Sequence, residues 1–299
     1  MTIHVMTSPD WKLDIDDPDV ELTTWDFESP APDVPVDLLV APHVTRPDII
    51  DRVRDLGAKV LQLGSIGYDA VSRDLPEGLI VSNAATVHET ATAEHALAML
   101  LFAAREFDRS VAAQRRGVWE EFQTLGLADT TVLLVGVGGV GSAIAERLDP
   151  FEVSLIRVGS RAREDERGRV HATDELPELL PQADAVIVVV PHNENTHHLI
   201  DDAFLSAMRD DAILLNIARG KVADTEALIK HAGRLRLLLD VVDPEPLPEG
   251  HELFSTATLI TAHNGGNADA MLERMKNVVL RQIAAMKNGE PPINQVLPQ

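Results

Sequence analysis

The sequence predicts an α/β protein with two doubly wound parallel sheets, one in each of two domains. Short apolar runs alternate with helical patterns, as is typical of parallel strands joined by crossover helices. At 299 residues the chain is longer than one compact core usually needs, which favours two domains. A glycine-rich turn at Gly136–Gly141 directly follows an apolar run and opens a helical pattern.

The first hundred residues contain the elements of the first predicted sheet. The predicted strands are Ile3–Met6, Val36–Val40, Val60–Leu63 and Leu79–Val81, with a helix at Pro47–Leu56. The Pro- and Asp-rich stretch Asp26–Pro35 predicts a surface loop. A single long helix is predicted from about Thr90 to Gln114 because its apolar residues recur on one face.

A second α/β pattern follows the long helix. Its predicted strands are Val132–Val135, Val153–Val158, Ala185–Val190, Ile213–Asn216, Leu235–Asp240 and Leu259–Thr261, with helices at Val140–Leu148 and Thr225–Ala232. A final helix, about Ala268 to Lys287, stops at Asn288-Gly289 and two prolines. We expect this helix to pack on the first domain. That domain would then comprise residues 1–95 and 267–299, and the second domain residues 96–266.

Composition excludes several classes of function. A net charge of −22 argues against nucleic acid, whose phosphates it would repel, and the absence of cysteine excludes disulfides and thiolate metal sites. No apolar run reaches the roughly 18 residues of a membrane span, and no signal peptide is evident, so a cytoplasmic protein is expected. The acid-rich, lysine-poor composition fits a high-salt cytoplasm or a GC-rich genome, and both explanations stay open.

The glycine-rich turn has the spacing of a dinucleotide-binding fingerprint. Gly136 permits a tight turn, Gly138 lets the backbone approach a pyrophosphate, and Gly141 lets the helix pack close to the strand. The helix that follows offers free N–H groups to the phosphates. A glycine-rich strand-to-helix turn without a ligand is the alternative.

The end of the next strand predicts which dinucleotide binds. An NAD site places a carboxylate there to bind the ribose hydroxyls. The stretch Gly159–Arg163 has none and instead offers Ser160, Arg161 and Arg163, which suit a phosphate. NADP(H) is therefore predicted over NAD(H). The alternative is a solvated basic loop, which is also the expectation for the rest of Arg161–Arg169.

Three polar residues follow three successive predicted strands. Arg219, Glu245 and His263 therefore lie at the carboxyl edge of the second sheet, where α/β proteins bind ligands. Arginine can hold a carboxylate in a bidentate way. A hydrogen bond from His263 to Glu245 would raise the pKa of the imidazole, which could then give a proton to a carbonyl as hydride arrives from a nicotinamide. A packing role is expected for His95, and no residue spacing suggests a metal site.

Four motifs carry a resemblance to a known family over nearly the whole chain. They are GVGGVG at Gly136–Gly141, NIARG at Asn216–Gly220, DVVDPEP at Asp240–Pro246 and TAHNGG at Thr261–Gly266. Weaker similarities occur at Ser65–Asp69, Thr92–His95 and Pro191–Thr196. On these residues the chain resembles the D-isomer-specific 2-hydroxyacid dehydrogenases.

The resemblance implies two Rossmann-like domains, one flavodoxin-like and one dinucleotide-binding, and a homodimer formed through the latter. It also implies reversible NADPH-dependent reduction of a small 2-oxo acid, such as glyoxylate or hydroxypyruvate, to a D-2-hydroxy acid. Arg219 would bind the substrate carboxylate, and Glu245 with His263 would donate the proton. The implied cofactor contacts further include Gly139, Val140, Pro191, Thr196, Ala218 and Asp240, the last holding the nicotinamide amide. The implied substrate contacts are backbone N–H groups of Ser65, Ile66 and Gly67.

The chain departs from the family pattern in few places. One is Ala262, since the family usually has a proline before the histidine. A biosynthetic 3-phosphoglycerate dehydrogenase is the alternative within the family, disfavoured because no basic cluster awaits a substrate phosphate and no regulatory domain follows the final helix. Formate dehydrogenase is disfavoured because its reaction needs no proton donor. A nucleotide-sensing corepressor is the alternative from another class, disfavoured by the short tail after the final helix.

Overall fold

The structure is a computed structural model that describes residues 2–44 and 46–298. The chain forms two compact units. One contains the chain up to His88 together with the chain from Ala268 onwards, and the other is Glu89–Asn267. The first boundary inferred from the sequence, after residue 95, falls within a helix that begins at Glu89.

Both units are built from parallel strands alternating with helices. The described strands are β1 (Ile3–Thr7), β2 (Val20–Thr24), β3 (Leu38–Val40), β4 (Val60–Gln62), β5 (Ile80–Ser82), β6 (Thr131–Val135), β7 (Ser154–Gly159), β8 (Arg163–Asp165), β9 (Gly168–Ala172), β10 (Ala185–Val188), β11 (Ile213–Asn216), β12 (Arg236–Leu239), β13 (Leu259–Ile260) and β14 (Gln295–Leu297). The described α-helices are α1 (Ile49–Val53), α2 (Glu89–Ala104), α3 (Phe107–Arg115), α4 (Gly139–Leu148), α5 (Leu176–Leu179), α6 (Asp202–Ala207), α7 (Thr225–His231), α8 (Leu253–Thr256) and α9 (Ala270–Asn288).

The sheet of the first unit has the strand order β14-β5-β4-β3-β1-β2. Its strands pair in parallel except β14, which runs antiparallel to β5. Neighbouring residues of β3 belong to two different cores, Leu38 to one and Leu39 to the other, and both are fully buried. The residues of α9 that pack in the core with Leu38 include Met275, Val278 and Val279. Both faces of this sheet are therefore covered, as parallel sheets require.

The sheet of the second unit has the strand order β13-β12-β11-β10-β6-β7-β9-β8. The chain starts at β6, builds outward through β7 and β9, and then returns to add β10 on the other side. This reversal between β6 and β10 is the point at which open α/β sheets bind ligands. Alternate residues of β6 again serve two cores, with Leu133 in one and Val132 in the other.

The fold confirms the predicted α/β class, and most predicted strands and helices are present with ends shifted by one or two residues. The long helix from Thr90 to Gln114 was a wrong prediction, because α2 ends at Ala104 and α3 starts at Phe107. Glu106 between them has a left-handed backbone with φ of 49°. Arg236 stabilises the break, since its guanidinium donates to the Ala103 carbonyl at 2.6 Å and to the Glu106 carboxylate at 3.0 Å.

The solvated loop expected at Arg161–Arg169 is instead largely a hairpin of β8 and β9, and β9 also pairs in parallel with β7. Arg157 on β7 explains the hairpin. Its side chain is only 6% exposed and donates to both carboxylate oxygens of Asp165, at 2.8 and 2.7 Å, and to the Gly168 carbonyl. Strands β2 and β14 were also missing from the prediction. No helix in the described part of the chain is long and apolar enough to cross a membrane.

Candidate active site

The glycine-rich turn between β6 and α4 is shaped by close backbone contacts. Gly136 has φ of 116°, and a Cβ at this position would collide with the Val189 carbonyl oxygen. A Cβ on Gly141 would collide with the Gly136 carbonyl oxygen. Both glycines are therefore required by the protein's own packing, which places the first turn of α4 directly against the end of β6.

Gly138 is different, because a Cβ at this position would meet no protein atom within 4 Å. The space beside Gly138 lies at the N-terminus of α4, where Gly138 is the capping residue. The first turn has no acidic residue of its own, although the Glu89 carboxylate of α2 lies close to Gly139. Free backbone N–H groups and the positive end of the helix dipole favour an anion there. The turn therefore fits the pyrophosphate of a dinucleotide, with Gly139 and Val140 in the first turn of the helix.

The end of β7 presents basic side chains. Ser160, Arg161 and Arg163 are exposed, and no carboxylate occurs among residues 160–163. Asp165 follows on the hairpin, where hydrogen bonds from Arg157 lower the pKa of its carboxyl group. Asp165 is thus held mainly by Arg157 of β7.

The loop after β10 is closed by Thr196, whose hydroxyl donates to the Pro191 carbonyl at 2.6 Å and accepts from the Asn193 backbone N–H at 2.9 Å. The Thr196 hydroxyl thus has structural partners within the loop. His192 and His197 in the same loop approach each other at 3.2 Å between ring nitrogens.

Arg219 lies directly after β11 in a turn held by Asn216. The fully buried Asn216 side chain accepts from the Ala218 N–H at 3.1 Å and donates to the Arg219 carbonyl at 3.2 Å. A Cβ on Gly220 would collide with the Val242 carbonyl oxygen, so this turn packs closely against the chain that leads to Glu245. The sequence therefore fixes the backbone on both sides of the arginine.

Glu245 and His263 form a hydrogen-bonded pair, with 2.6 Å between the Glu245 Oε1 and His263 Nδ1 atoms. This hydrogen bond raises the pKa of His263 against the opposing effect of burial. The charge of Glu245 and, to a lesser extent, that of Asp240 also raise it, whereas the charge of Arg219 lowers it. Because Nδ1 is engaged by the carboxylate, the proton available for transfer is the one on Nε2.

Asp240, at the end of β12, organises the loop that carries His263. Its carboxylate is 3% exposed and accepts from the Thr261 hydroxyl at 2.6 Å and from the backbone N–H groups of Asn264 and Gly265 at 2.9 and 3.1 Å. Burial raises the pKa of Asp240, but hydrogen bonds from His95 and Thr261 outweigh it and the net pKa is lowered. The carboxylate thus stays ionised and anchors the loop.

His95 on α2, for which a packing role was expected, contacts two residues of the loop described above and of the strand end that holds it. Its Nε2 atom lies 3.0 Å from the Thr261 hydroxyl oxygen and 3.3 Å from the Asp240 carboxylate. The only sequence signal was the weak motif similarity at Thr92–His95, since 166 residues separate His95 from Thr261.

The segment Ser65–Gly67 belongs to the other compact unit. The Ser65 hydroxyl donates to the Gly67 carbonyl at 2.7 Å, and the Asn83 side-chain amide donates to the Ile66 carbonyl at 2.8 Å. Carbonyl groups of this short loop are thus held from within their own unit.

Comparison with known proteins adds independent findings. Residues 97–265 match the family model described as "D-isomer specific 2-hydroxyacid dehydrogenase, NAD binding domain". A glyoxylate reductase of Thermococcus onnurineus is 34% identical and covers 84% of this chain and 85% of its own length. The human glyoxylate reductase/hydroxypyruvate reductase is 29% identical, covering 91% and 90%.

Among solved structures, a D-isomer specific 2-hydroxyacid dehydrogenase from Xanthobacter autotrophicus in complex with NADPH and MES superposes with a TM-score of 0.78. It shares 25% identity and covers 98% of both chains. The family model matches more than half of the chain, and the Thermococcus relative exceeds 30% identity over most of it. The chain therefore belongs to the D-isomer specific 2-hydroxyacid dehydrogenase family of NAD(P)-dependent oxidoreductases.

Proposed function

We propose that the protein reduces a small 2-oxo acid to the D-2-hydroxy acid with NADPH, and catalyses the reverse reaction. The observation that carries this proposal is the Glu245–His263 pair at 2.6 Å, at the sheet edge that also holds Arg219 and the glycine-rich turn. Relatives named glyoxylate reductase support 2-oxo acids as the substrate class. They also favour this reaction over that of a phosphoglycerate dehydrogenase.

We assign the roles as follows. A nicotinamide cofactor supplies the hydride. His263 donates the proton on Nε2 to the substrate carbonyl oxygen, and Glu245 stabilises the imidazolium before transfer and holds the ring's orientation. Arg219 binds the substrate carboxylate with its planar guanidinium.

The unit Glu89–Asn267 is in this proposal the dinucleotide-binding domain, and the other unit is the substrate domain. Cofactor contacts are assigned to the glycine-rich turn, to Val140, Ala218 and Asp240, and to the loop from Pro191 to Thr196. Backbone groups of Ser65–Gly67 are assigned to the substrate carboxylate.

The catalytic assignment predicts different defects for two alanine variants. His263→Ala removes the proton donor, so kcat falls by about 10²- to 10⁴-fold while the NADPH dissociation constant changes little. Arg219→Ala removes the carboxylate partner, so KM rises and kcat falls together. Steady-state rates with glyoxylate, hydroxypyruvate and other short 2-oxo acids, and NADPH fluorescence titration, measure both.

A His263→Ala variant with nearly normal rates would refute the assigned acid. Wild-type protein that binds NADPH but turns over none of these acids would instead support a nucleotide-binding regulatory protein.

The raised pKa of His263 predicts opposite pH dependence for the two reaction directions. Reduction needs the imidazolium, so kcat is full below the folded-state pKa and declines as pH rises through it, whereas oxidation needs the neutral ring and gains rate over the same range. In Glu245→Gln the carboxylate is lost and the pKa of His263 falls. The decline in the rate of reduction and the gain in the rate of oxidation, here called the two limbs, therefore both move to lower pH. Glu249→Gln, an exposed change in the same loop, is the control and leaves both limbs in place.

We propose NADP(H) over NAD(H) as the preferred cofactor. Arg161 and Arg163 can meet a 2′-phosphate, and Ser160 can donate a further hydrogen bond. The segment lacks the carboxylate that would hold ribose hydroxyls, and Asp165 is held by Arg157. The Xanthobacter relative was crystallised with NADPH.

Replacing both arginines tests the cofactor proposal. Arg161→Ser with Arg163→Ser lowers kcat/KM for NADPH by about 10- to 100-fold, since a hydrogen bond to a charged group contributes about 1.5–3 kcal/mol, and leaves NADH kinetics nearly unchanged. Arg167→Ser is the matched control, because Arg167 on the same hairpin pairs with Asp149. Wild-type protein with the higher kcat/KM for NADH contradicts the preference.

We propose that the protein forms a homodimer through its dinucleotide-binding domain. An apolar surface lies on α3 and the segment after it. It comprises Phe107, Val111, Val118, Trp119 and Leu125, which are 49%, 40%, 50%, 90% and 54% exposed. Exposed apolar side chains that recur along one short stretch of chain favour a protein contact there. Glu120 holds the segment in place by ion pairs to Arg109 and Arg116 at 2.6 and 3.0 Å.

Sedimentation velocity tests the homodimer. The wild-type protein sediments as twice the 32.6 kDa chain mass, and Trp119→Asp shifts the population towards monomer because it places a charge in the apolar surface. Val44→Asp is the control, since Val44 is 74% exposed and belongs to the other compact unit. A monomeric wild-type protein at micromolar concentration refutes the assignment.

A further inference from the structure

The hydrogen bonds around Thr261 determine which nitrogen of His95 carries a proton. A hydroxyl has one hydrogen to donate, and the Thr261 hydroxyl lies 2.6 Å from the Asp240 carboxylate but 3.6 Å from the Met99 sulfur. The hydrogen therefore goes to the carboxylate. The Thr261 oxygen, 3.0 Å from Nε2 of His95, must then act as an acceptor. His95 thus carries a hydrogen on Nε2 and donates it to Thr261, with Asp240 3.3 Å from the same nitrogen.

Asp240 connects His95 and Thr261 to the loop that carries His263, because it is hydrogen-bonded to that loop. Its carboxylate accepts from the N–H groups of Asn264 and Gly265, the two residues after His263. Its backbone carbonyl accepts from the His263 N–H at 2.8 Å. His263 itself has φ of 53°, a backbone conformation that few non-glycine residues adopt and that these hydrogen bonds hold in place. A Cβ on Gly265 would lie 2.9 Å from the carboxylate, so the loop fits closely against Asp240.

We propose that His95 is a positioning residue of this enzyme: by donating from Nε2 to the Thr261 hydroxyl, with the Asp240 carboxylate 3.3 Å away, it holds the His263 loop in the geometry that pairs His263 with Glu245. The inference rests on the proposed function for its catalytic meaning. The arrangement of hydrogen bonds stands without it.

Electrostatics explain why a donor at this position matters. The charged groups that act on His263 are Glu245, Arg219 and Asp240, and the Asp240 carboxylate also lies 3.3 Å from Nε2 of His95. A carboxylate that is 3% exposed needs hydrogen-bond donors to remain ionised. Without the donor from His95, the Thr261 hydroxyl and Asp240 must rearrange, and the backbone N–H groups that Asp240 holds move with them. The Glu245–His263 hydrogen bond, which raises the pKa of His263, is then weakened.

Two substitutions of His95 separate positioning from packing. His95→Gln keeps an N–H donor at a similar reach, whereas His95→Leu keeps a similar volume without a donor. We expect His95→Leu to lower kcat for reduction about tenfold, to move the alkaline limb of its pH profile to lower pH, and to leave the NADPH dissociation constant nearly unchanged. His95→Gln should restore both. His231→Leu is the matched control, because the buried His231 on α7 also bonds a carboxylate, that of Asp202, at 2.8 Å.

A second readout does not depend on turnover. In protein labelled at histidine, NMR titration follows the His263 ring, assigned by its absence in His263→Ala. We expect its pKa to be lower in His95→Leu than in wild type and nearly wild-type in His95→Gln. If His95→Leu does not fold, Thr261→Val removes the intervening hydroxyl and should give the same shift.

An unchanged His263 titration and an unchanged pH profile in His95→Leu, together with a lower Tm, would show that His95 only packs. Wild-type protein that reduces no 2-oxo acid would overturn the proposed function, and the NMR titration would still decide whether His95 acts on His263.

Discussion

The buried carboxylate of Asp240 is the constraint on which the candidate active site depends. Removing a carboxylate from water costs several kcal/mol unless hydrogen bonds replace its hydration, so its donors must be present together. They come from α2, from the residue after β13 and from the loop beyond it. Each hydrogen bond to a charged group contributes about 1.5–3 kcal/mol. One buried charge thus specifies where α2 meets the segment that follows β13, and His263 lies in that segment.

The Glu245–His263 pair, unlike the buried Asp240, is exposed to solvent. Its side chains are 41% and 47% exposed, so solvent screens their interaction, and pairs of this kind contribute about 0–1 kcal/mol to stability. The same contact changes the protonation of His263, because a hydrogen bond to the charged form favours that form. Stability and chemistry are therefore divided between two neighbouring carboxylates. The buried one holds the loop, and the exposed one raises the proton affinity of His263, the proposed proton donor.

The features that could be predicted from the sequence are those set by local pattern. Apolar runs mark the strands, and because parallel strands end at one edge, Arg219, Glu245 and His263 could be placed together without a structure. The missed features depend on contacts between distant residues. The break at Glu106 is stabilised by Arg236, which lies 130 residues further along the chain. The hairpin of β8 and β9 was missed because the residues of β8 are charged and exposed, and it is held by the buried Arg157. His95 was assigned to packing because its partners lie 145 and 166 residues further along the chain.

The total charge of the chain and the charges close to the proposed cofactor site must also be distinguished, since an acidic chain would have to bind a phosphorylated cofactor. The net charge of −22 repels anions at a distance, but charges beyond about 8–10 Å are largely screened at physiological ionic strength. In the proposed mode of binding, the phosphates meet the N-terminus of α4 and the end of β7, where residues 160–163 contain arginines and no carboxylate. Asp165, which could oppose those arginines, is engaged by Arg157 through two hydrogen bonds. The buried Arg157 therefore holds Asp165 beside the edge proposed for the cofactor, much as the donors of Asp240 hold that carboxylate beside the proposed catalytic loop.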